Sequence, residues 1–503
     1  MNRFLLSSVL VFVIWFCFGQ NPDQKRTTHW YFGARAGLDF SSGSPVPDTL
    51  GQIGTLERTA AIADLNGNLV AYFGYGSGTT NQWCVWNRNH QPMLNGCGIG
   101  PAGVSTPRDG AVFIPKPGDD STYYLFTVDG WENQFQRGLR WHEIDLRLDN
   151  GLGAVTSHDN LLYAPVTEQL AATRHANGCD YWVVTHERSS DKFLAFRVSS
   201  EGVDSVPVIS AAGQDYAIMQ QAYILNMGLS IVLSPNGKKA GVILSWNYPI
   251  TKIPSQAELM DFNPQNGIFS NAFYIPFDTS GGGMFFSPDN SKLYVACGRT
   301  GPARFYQFDL SSGVDSIIQA SRINVFASTK TIAQDGQIGL DGKLYLSNEV
   351  DSSGNILNPP FLSVIKNPNA LGIACNVQHG AQPLGTGRAT QGLPNFVSNF
   401  LTNVSSAPCL YNFVFNETNS EQFNASVYPN PADNQLTISS SNDFFNNSSI
   451  TVYDATGRLW LEKQMFYANK KITLDISHIP RGLYLLSLQT SKYRKAFKIF
   501  IQH

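Results

Sequence analysis

The chain is poor in charge. Lys, Arg, Asp and Glu make up 15% of its 503 residues and nearly cancel, to −3 with neutral His. That balance gives no electrostatic pull toward nucleic acid or an anionic membrane. Cysteine is scarce too, seven residues in all, with no Cys-x-x-Cys pair, so no thiolate zinc site is expected, and no metal or cofactor. There is no Gly-x-Ser-x-Gly elbow and no α/β pattern of a hydrolase. His186-Glu187 has no second His four residues on, which rules out a zincin helix. Asp64-Leu-Asn-Gly-Asn68 lacks the Glu of a calcium loop at its twelfth position and reads better as a hairpin turn. Only one apolar run is long, Phe4 to Phe18, interrupted by Ser7 and Ser8 and preceded by Arg3. It is short for a bilayer span and has no stop-transfer flank. Residues 1–19 therefore read as a signal peptide, with Cys17 and Gly19 as the small residues before a cut ahead of Gln20. With no second such run, an exported mature protein without a transmembrane segment is expected.

What the chain does have is aromatic residues (12%) and 44 glycines, a mixture suited to short strands and tight turns. One unit recurs: strand, a turn rich in Asn, Asp and Gly, then strand. It appears as Ala63-Asp-Leu-Asn-Gly-Asn-Leu-Val-Ala-Tyr-Phe73, Leu233-Ser-Pro-Asn-Gly-Lys-Lys-Ala-Gly-Val-Ile-Leu244, Phe286-Ser-Pro-Asp-Asn-Ser-Lys-Leu-Tyr-Val-Ala296 and Ile338-Gly-Leu-Asp-Gly-Lys-Leu-Tyr-Leu-Ser347. Weaker copies start at Ile114 and Ala172. The period of roughly 55 residues is that of a β-propeller blade. A second series of hairpins interleaves with the first, with turns at Ser41, Asn87, Asp149, Ser200, Gln265, Ser311 and Lys366. Seven outer hairpins thus face six inner ones. Leu393–Leu401 is expected to supply the inner strand missing from the blade that opens at Trp30, closing the ring. Tandem sandwiches would instead need repeats near about 100 residues.

The six cysteines left after the leader (seven less Cys17) would sit in an oxidising compartment. Cys84 and Cys97 flank a turn and are expected to bridge its strands. Cys375 with Cys409 is a second candidate bridge, while Cys179 and Cys297 read as buried free thiols.

Trp30-Tyr-Phe-Gly33, Gly37-Leu-Asp-Phe40, Asn87-Arg-Asn-His90, Pro115-Lys-Pro-Gly118, Phe126-Thr-Val-Asp129 and Val184-Thr-His-Glu187 resemble a family of secreted bacterial propellers. In that family WD-repeat-like Ser-Pro-Asp-Gly blades precede a C-terminal secretion domain. The resemblance covers most of residues 27–401 and implies a fold, since the family carries no settled activity.

Residues 411–424 turn polar and read as a linker. Beyond them come Val427-Tyr-Pro-Asn-Pro431, Ile450-Thr-Val-Tyr-Asp-Ala-Thr-Gly-Arg458, Pro480-Arg-Gly-Leu-Tyr484 and a basic ending up to Lys498. Their alternating strands predict a small β-sandwich. In that order they resemble the type A C-terminal sorting domain of the type IX secretion system. The resemblance puts the sorting signal on Pro429, Asn430, Pro431, Asp454, Gly457, Arg458, Gly482, Tyr484 and Lys498. It implies the type IX translocon as a partner, and a protein secreted or attached to the outer face of the outer membrane after periplasmic passage. The expected architecture is all-β: a signal peptide (1–19), a seven-bladed propeller (20–410), a linker (411–424) and an Ig-like sorting sandwich (425–503).

A propeller gathers the loops entering its inner strands and leaving its second strands at one channel mouth, where ligand sites concentrate. The entering loops bring Glu57, Arg58, Arg108, Asp109, Glu168, Gln221, Gln334 and Asp335. The leaving loops bring Tyr75, Asp129, Trp131, Glu132, His186, Glu187, Trp246, Arg299 and Glu349. Candidate ligand residues are Arg58, Arg108, Asp129, Trp131, His186, Glu187, Trp246, Arg299 and Glu349. Aromatic faces with carboxylates and guanidiniums suit a glycan, a peptide or a protein surface. With catalytic signatures missing, a binding module is favoured. A hydrolase or lyase at the same mouth, built on carboxylates such as Glu132 and Glu187, is the alternative, and a structural surface protein is the third reading.

Overall fold

Each recurring hairpin folds because its turn satisfies its own backbone. Asp64 accepts the N–H groups of Asn66 and Asn68 at 2.8 and 2.9 Å, and Gly67 takes a φ of +94°, open to glycine without strain. Asp289 closes the equivalent turn by accepting from Ser291 N–H at 2.9 Å. The Asp64 carboxylate is used up by donors of its own turn, Asn68 Nδ2 included.

In this computed structural model the described residues are 21–78, 80–101, 107–215, 230–244, 255–277, 281–297, 303–328, 331–350, 358–402, 425–440, 448–454, 459–465, 470–489 and 494–502. The predicted signal peptide and the linker at 411–424 lie outside them. The chain divides into two compact units, one of residues 1–176 and 180–406, the other of 407–503 with Asn177–Cys179.

The first unit is a run of antiparallel meanders. Blade 1 holds Thr59–Ala63, Leu69–Tyr75, Trp83–Asn87 and Pro92–Cys97, and blade 2 holds Ala111–Pro115, Thr122–Thr127, Leu139–Asp145 and Ala154–Tyr163. Blades 3 to 6 begin with the inner strands Ala171–Arg174, Ser230–Leu233, Gly281–Phe286 and Thr331–Ile338. Blade 7 holds His29–Phe32, Ala36–Asp39 and Val46–Pro47 from the start of the unit, while the closing strand Pro394–Asn395 from its end joins the sheet of blade 1. Inner and second strands are buried on both faces, as in Ala111–Pro115 and Thr122–Thr127. That is why they read as nearly continuous apolar runs.

The seam is packed around Trp30, whose ring meets Tyr345 of blade 6 edge-on at 5.7 Å and Phe396 at 6.1 Å. Beside it Tyr31 meets Tyr72 of blade 1 at 4.4 Å. The closing strand reaches its expected place but not its expected partner. Pro394–Asn395 pairs in parallel with Thr59–Ala60 of blade 1, not with the Trp30 strand. The Tyr31 carbonyl of that strand already accepts the Thr59 hydroxyl at 2.7 Å. Ser398–Leu401 then turns into a 3-10 helix.

Cys84 and Cys97 face each other across their strands and form a disulfide. Two thiol expectations are corrected. Cys375 is a free, buried thiol, enclosed beside the Tyr294 hydroxyl at the end of the Gly372–Cys375 turn, so it forms no bridge; Cys409 lies outside the described residues. Cys179 is disulfide-bonded rather than a thiol, whereas Cys297 is a buried thiol as expected.

The second unit is a sandwich of two antiparallel sheets. One orders Ala425–Tyr428, Gln435–Ser440 and Lys471–Asp475. The other orders Leu459–Met465, Ser448–Asp454, Gly482–Gln489 and Arg494–Ile501. Leu436, Ile438, Ile450, Val452, Leu486, Leu488, Ile499 and Ile501 alternate along their strands into one core.

Candidate functional site

The inner strands start at a common centre, and there the propeller is stitched by a buried polar network. Arg58 forks onto Asp335, Nε to Oδ2 at 2.8 Å and Nη2 to Oδ1 at 2.5 Å. Its Nη1 also lies 3.5 Å from Asp109 Oδ1. Asp109 accepts the Ser230 hydroxyl at 2.6 Å, Ile231 N–H at 2.9 Å and Leu170 N–H at 3.1 Å. Asp335 accepts Leu393 N–H at 2.8 Å. Arg108 donates through Nη2 to the Gly282 carbonyl at 2.9 Å and through its N–H to Glu168 at 3.0 Å, with Glu57 3.5 Å from Nη1. Six blades and the closing segment each contribute a group: Arg58 from the first, Asp109 from the second, Leu170, Ser230, Gly282 and Asp335 from blades 3 to 6, and Leu393 from the closing segment.

Arg58, Asp109 and Asp335 are 8%, 0% and 3% exposed. Burial opposes the Arg58 charge, but Asp335 and Asp109 outweigh it and its pKa rises. Burial pushes the Asp109 carboxyl up, against the pull of Arg58 and three donors. Charges so placed are tolerable only when paired and fully hydrogen-bonded, as these are. Inside the ring from Arg58 is a cavity of about 60 Å³, lined by Gln337, Asn395, Ser398 and apolar residues including Val232, Met284 and Phe285. That volume has room for a few waters. A sugar ring or a nucleotide needs several times more.

Around the rim, the leaving loops of blades 2 and 3 carry a second group. Asp129 is buried and organises its loop by accepting Asn133 Nδ2 at 2.9 Å and Arg137 N–H at 3.0 Å. Gln134 and Phe135 take φ values of +56° and +59° there, a conformation that non-glycine residues adopt at a cost. Arg188 lies 4.8 Å from the Phe135 ring centroid and donates to the Gln134 carbonyl at 3.2 Å. Glu187 accepts the Tyr163 hydroxyl at 2.5 Å and pairs with Lys192 at 3.1 Å. Burial raises the Glu187 pKa, but the Tyr163, Lys192 and Ser190 contacts prevail and hold it below the usual range. The same hydrogen bond pushes Tyr163 up to about 12. His186 is buried against Phe193, with ring centroids 4.5 Å apart, and burial lowers its pKa to about 3.

Of the candidates read from sequence, Arg58 and Arg108 meet at the network with Glu57, Asp109, Glu168 and Asp335. Asp129 and His186 are buried, and Glu187 is bound to Tyr163 and Lys192. Trp131 opens the short helical turn Trp131–Asn133, and Glu349 lies on the strand Leu344–Val350. Trp246, Arg299 and Gln221 lie outside the described residues. Sequence reasoning missed Asn395, whose Nδ2 donates to the Leu170 carbonyl at 3.0 Å, and Gln337, which donates to the Pro394 carbonyl at 2.7 Å. Nothing local marks either of them, because their partners come from other blades.

In the second unit the motif residues converge on strand ends. The Asn430 amide joins the last strand at Lys498 and Phe500. The Tyr484 hydroxyl returns to the Pro480 carbonyl at 2.6 Å, and Asp454 accepts Trp460 Nε1 at 2.9 Å. Gly457 and Arg458 lie outside the described residues. Residues 426–502 match the family model of the secretion system C-terminal sorting domain. The C-terminal unit is a type IX sorting domain. The sorting domain marks the chain for secretion or attachment at the outer-membrane surface, through the type IX translocon. Among the described residues no helix is long and apolar enough to cross a membrane.

No curated protein matches the chain in sequence. Among solved structures it is similar to a functionally unknown protein of Desulfotomaculum acetoxidans, at 14% identity and TM-score 0.41, covering 73% of this chain and 98% of that one. A Lactobacillus plantarum protein aligns at 12% identity and TM-score 0.45 over 73% and 98%. A quinonprotein alcohol dehydrogenase-like protein of Bacteroides thetaiotaomicron aligns at 12% and 0.39 over 73% and 78%. Similarities this low carry nothing about activity, and the propeller architecture rests on the strand pairing itself.

Proposed function

We propose that the chain is a secreted or surface-attached propeller that binds an extracellular glycan, peptide or protein at the channel-mouth rim. The observation that carries this reading is the state of the mouth's carboxylates. Asp109 and Asp335 are bound to Arg58 and to backbone N–H groups, and Glu187 is bound to Tyr163 and Lys192. A general acid needs a carboxyl held protonated near neutral pH and open to a substrate; Glu187 is shifted the other way, and Asp109, which burial pushes up, is 0% exposed and enclosed by its own donors. What the rim offers instead is exposed Glu132, Gln134 and Gln136 beside the Arg188–Phe135 stack, which suits hydrogen-bonded recognition. The cavity within the ring is too small to take over that role.

The test is a cross-linking pull-down of full-length protein from intact producing cells, followed by titration of the purified protein with the recovered polymer. Saturable binding that weakens at least tenfold in Arg188→Ala, with no turnover, supports the reading. Turnover of any polymer that is lost in Glu187→Gln would replace it with a hydrolase or lyase. Recovery of the protein alone, with no saturable binding, would leave a structural surface protein.

A further inference from the structure

The last strand of the sorting domain, Arg494–Ile501, lies at the edge of its sheet. One side pairs with Gly482–Gln489 along its whole length. The other side would present bare N–H and C=O groups, which an edge strand must cover. Ala432 covers the end of it, donating its N–H to the Phe500 carbonyl at 2.8 Å and accepting Gln502 N–H at 2.9 Å. The main-chain pairing stops at Ala432, an isolated parallel bridge to Ile501. The Asn430 side chain continues it. Its Oδ1 accepts Phe500 N–H at 2.8 Å and its Nδ2 donates to the Lys498 carbonyl at 2.8 Å. One primary amide supplies the donor and the acceptor that a strand residue would have supplied.

We propose that Asn430 is a positioning residue for export: its amide clasps the terminal strand, so the translocon reads a folded edge and not a linear basic tail. The proposal rests on the sorting-domain assignment. The clasp holds the exposed Lys498 and its neighbour Phe500 in register with Leu485 and Leu483. Leu483 is 56% exposed, so a fixed strip of apolar and basic groups faces outward. Residues about 70 positions apart in sequence build it together.

The experiment follows full-length protein in its producing cells and reads the exported fraction against the periplasmic fraction. In the purified protein it reads amide exchange at Phe500. Asn430→Ala should lower the exported fraction at least tenfold and speed Phe500 exchange. Asn430→Asp keeps the acceptor for Phe500 N–H but loses the donor to Lys498, and should fall between. Lys498→Ala leaves the clasp intact, because only its carbonyl is used, and should leave Phe500 exchange unchanged. A core variant at the buried Ile450, Val or Ala, chosen to match the Tm loss of Asn430→Ala, should export normally. The proposal is overturned if Asn430→Ala is exported like wild type, or if it loses no more than the matched Ile450 variant. Normal export after deletion of residues 425–503 would instead overturn the sorting assignment itself.

Discussion

Arg58 and Asp335 stand 277 residues apart in sequence and meet through two parallel hydrogen bonds at the centre of the ring, at 2.8 and 2.5 Å. A bidentate guanidinium–carboxylate pair fixes direction as well as distance. It ties blade 1 to blade 6 across the seam that blade 7 fills, while Asp335 also holds Leu393 of the closing segment. Arg58→Met leaves two buried carboxylates without their cation. Breaking one side of such a pair costs roughly 3–5 kcal/mol. Denaturant unfolding of the variant should show a loss of that order, and a loss under about 1 kcal/mol would mean the pair does not hold the seam.

Gly392 tests the same seam from the closing strand. A Cβ there would lie 2.1 Å from the Glu57 carbonyl carbon and 2.2 Å from Arg58 N, both main-chain atoms that cannot swing aside. Gly392→Ala should therefore destabilise the propeller by about 1–3 kcal/mol, read as a lower Tm. An unchanged Tm would show that the closing strand has room to shift.

Two buried histidines set the acid limit. Asp159 N–H donates to His142 Nδ1 at 3.0 Å, so Nε2 carries the proton and faces Thr127 Oγ1 at 3.1 Å. Burial lowers the His142 pKa to about 4 and that of His186 to about 3. Unfolding returns both to about 6.5, so the unfolded chain binds protons that the folded chain refuses. The stability they secure is complete above about pH 6.5 and is lost as pH falls toward their folded values, on the order of 3–5 kcal/mol each. A melt series from pH 7.5 to 4 should show Tm falling below about pH 6.5, with a shallower slope in His142→Asn. The same slope in both proteins would count against His142 as a contributor.

The thiols can be read by peptide mapping of the exported protein without reduction. Cys84–Cys97 should be recovered as a pair, Cys297 and Cys375 should alkylate only after unfolding, and Cys179 should appear in a second disulfide. Loss of the first bridge in Cys84→Ser with Cys97→Ser should cost about 3 kcal/mol. Alkylation of native Cys375 without denaturant would contradict its burial.

Export itself should fail when residues 425–503 are removed. Cell fractionation should then find the propeller inside the envelope, folded and protease-resistant, and none at the surface above about a tenth of the wild-type level.

The sequence by itself determined the number and spacing of the blades, because each inner hairpin carries its own turn chemistry: the Asp64 and Asp289 carboxylates accept from donors of their own loops. It determined the export label for the same reason, since Pro429, Asn430, Tyr484 and their neighbours form a fixed local order. From blade phase it also grouped Arg58, Arg108 and Asp335 among the loops that enter the inner strands. What it could not show is that these charges close on one another, because each partner comes from a different blade and no local pattern links them. The pairing of the closing strand was decided in three dimensions as well, when the Thr59 hydroxyl took the Tyr31 carbonyl. So it was with Cys375, which became a buried thiol once Tyr294 and the turn before it enclosed the sulfur. Local turns follow from neighbours in the chain; the hub and the seam follow from ring closure, which brings together residues hundreds of positions apart.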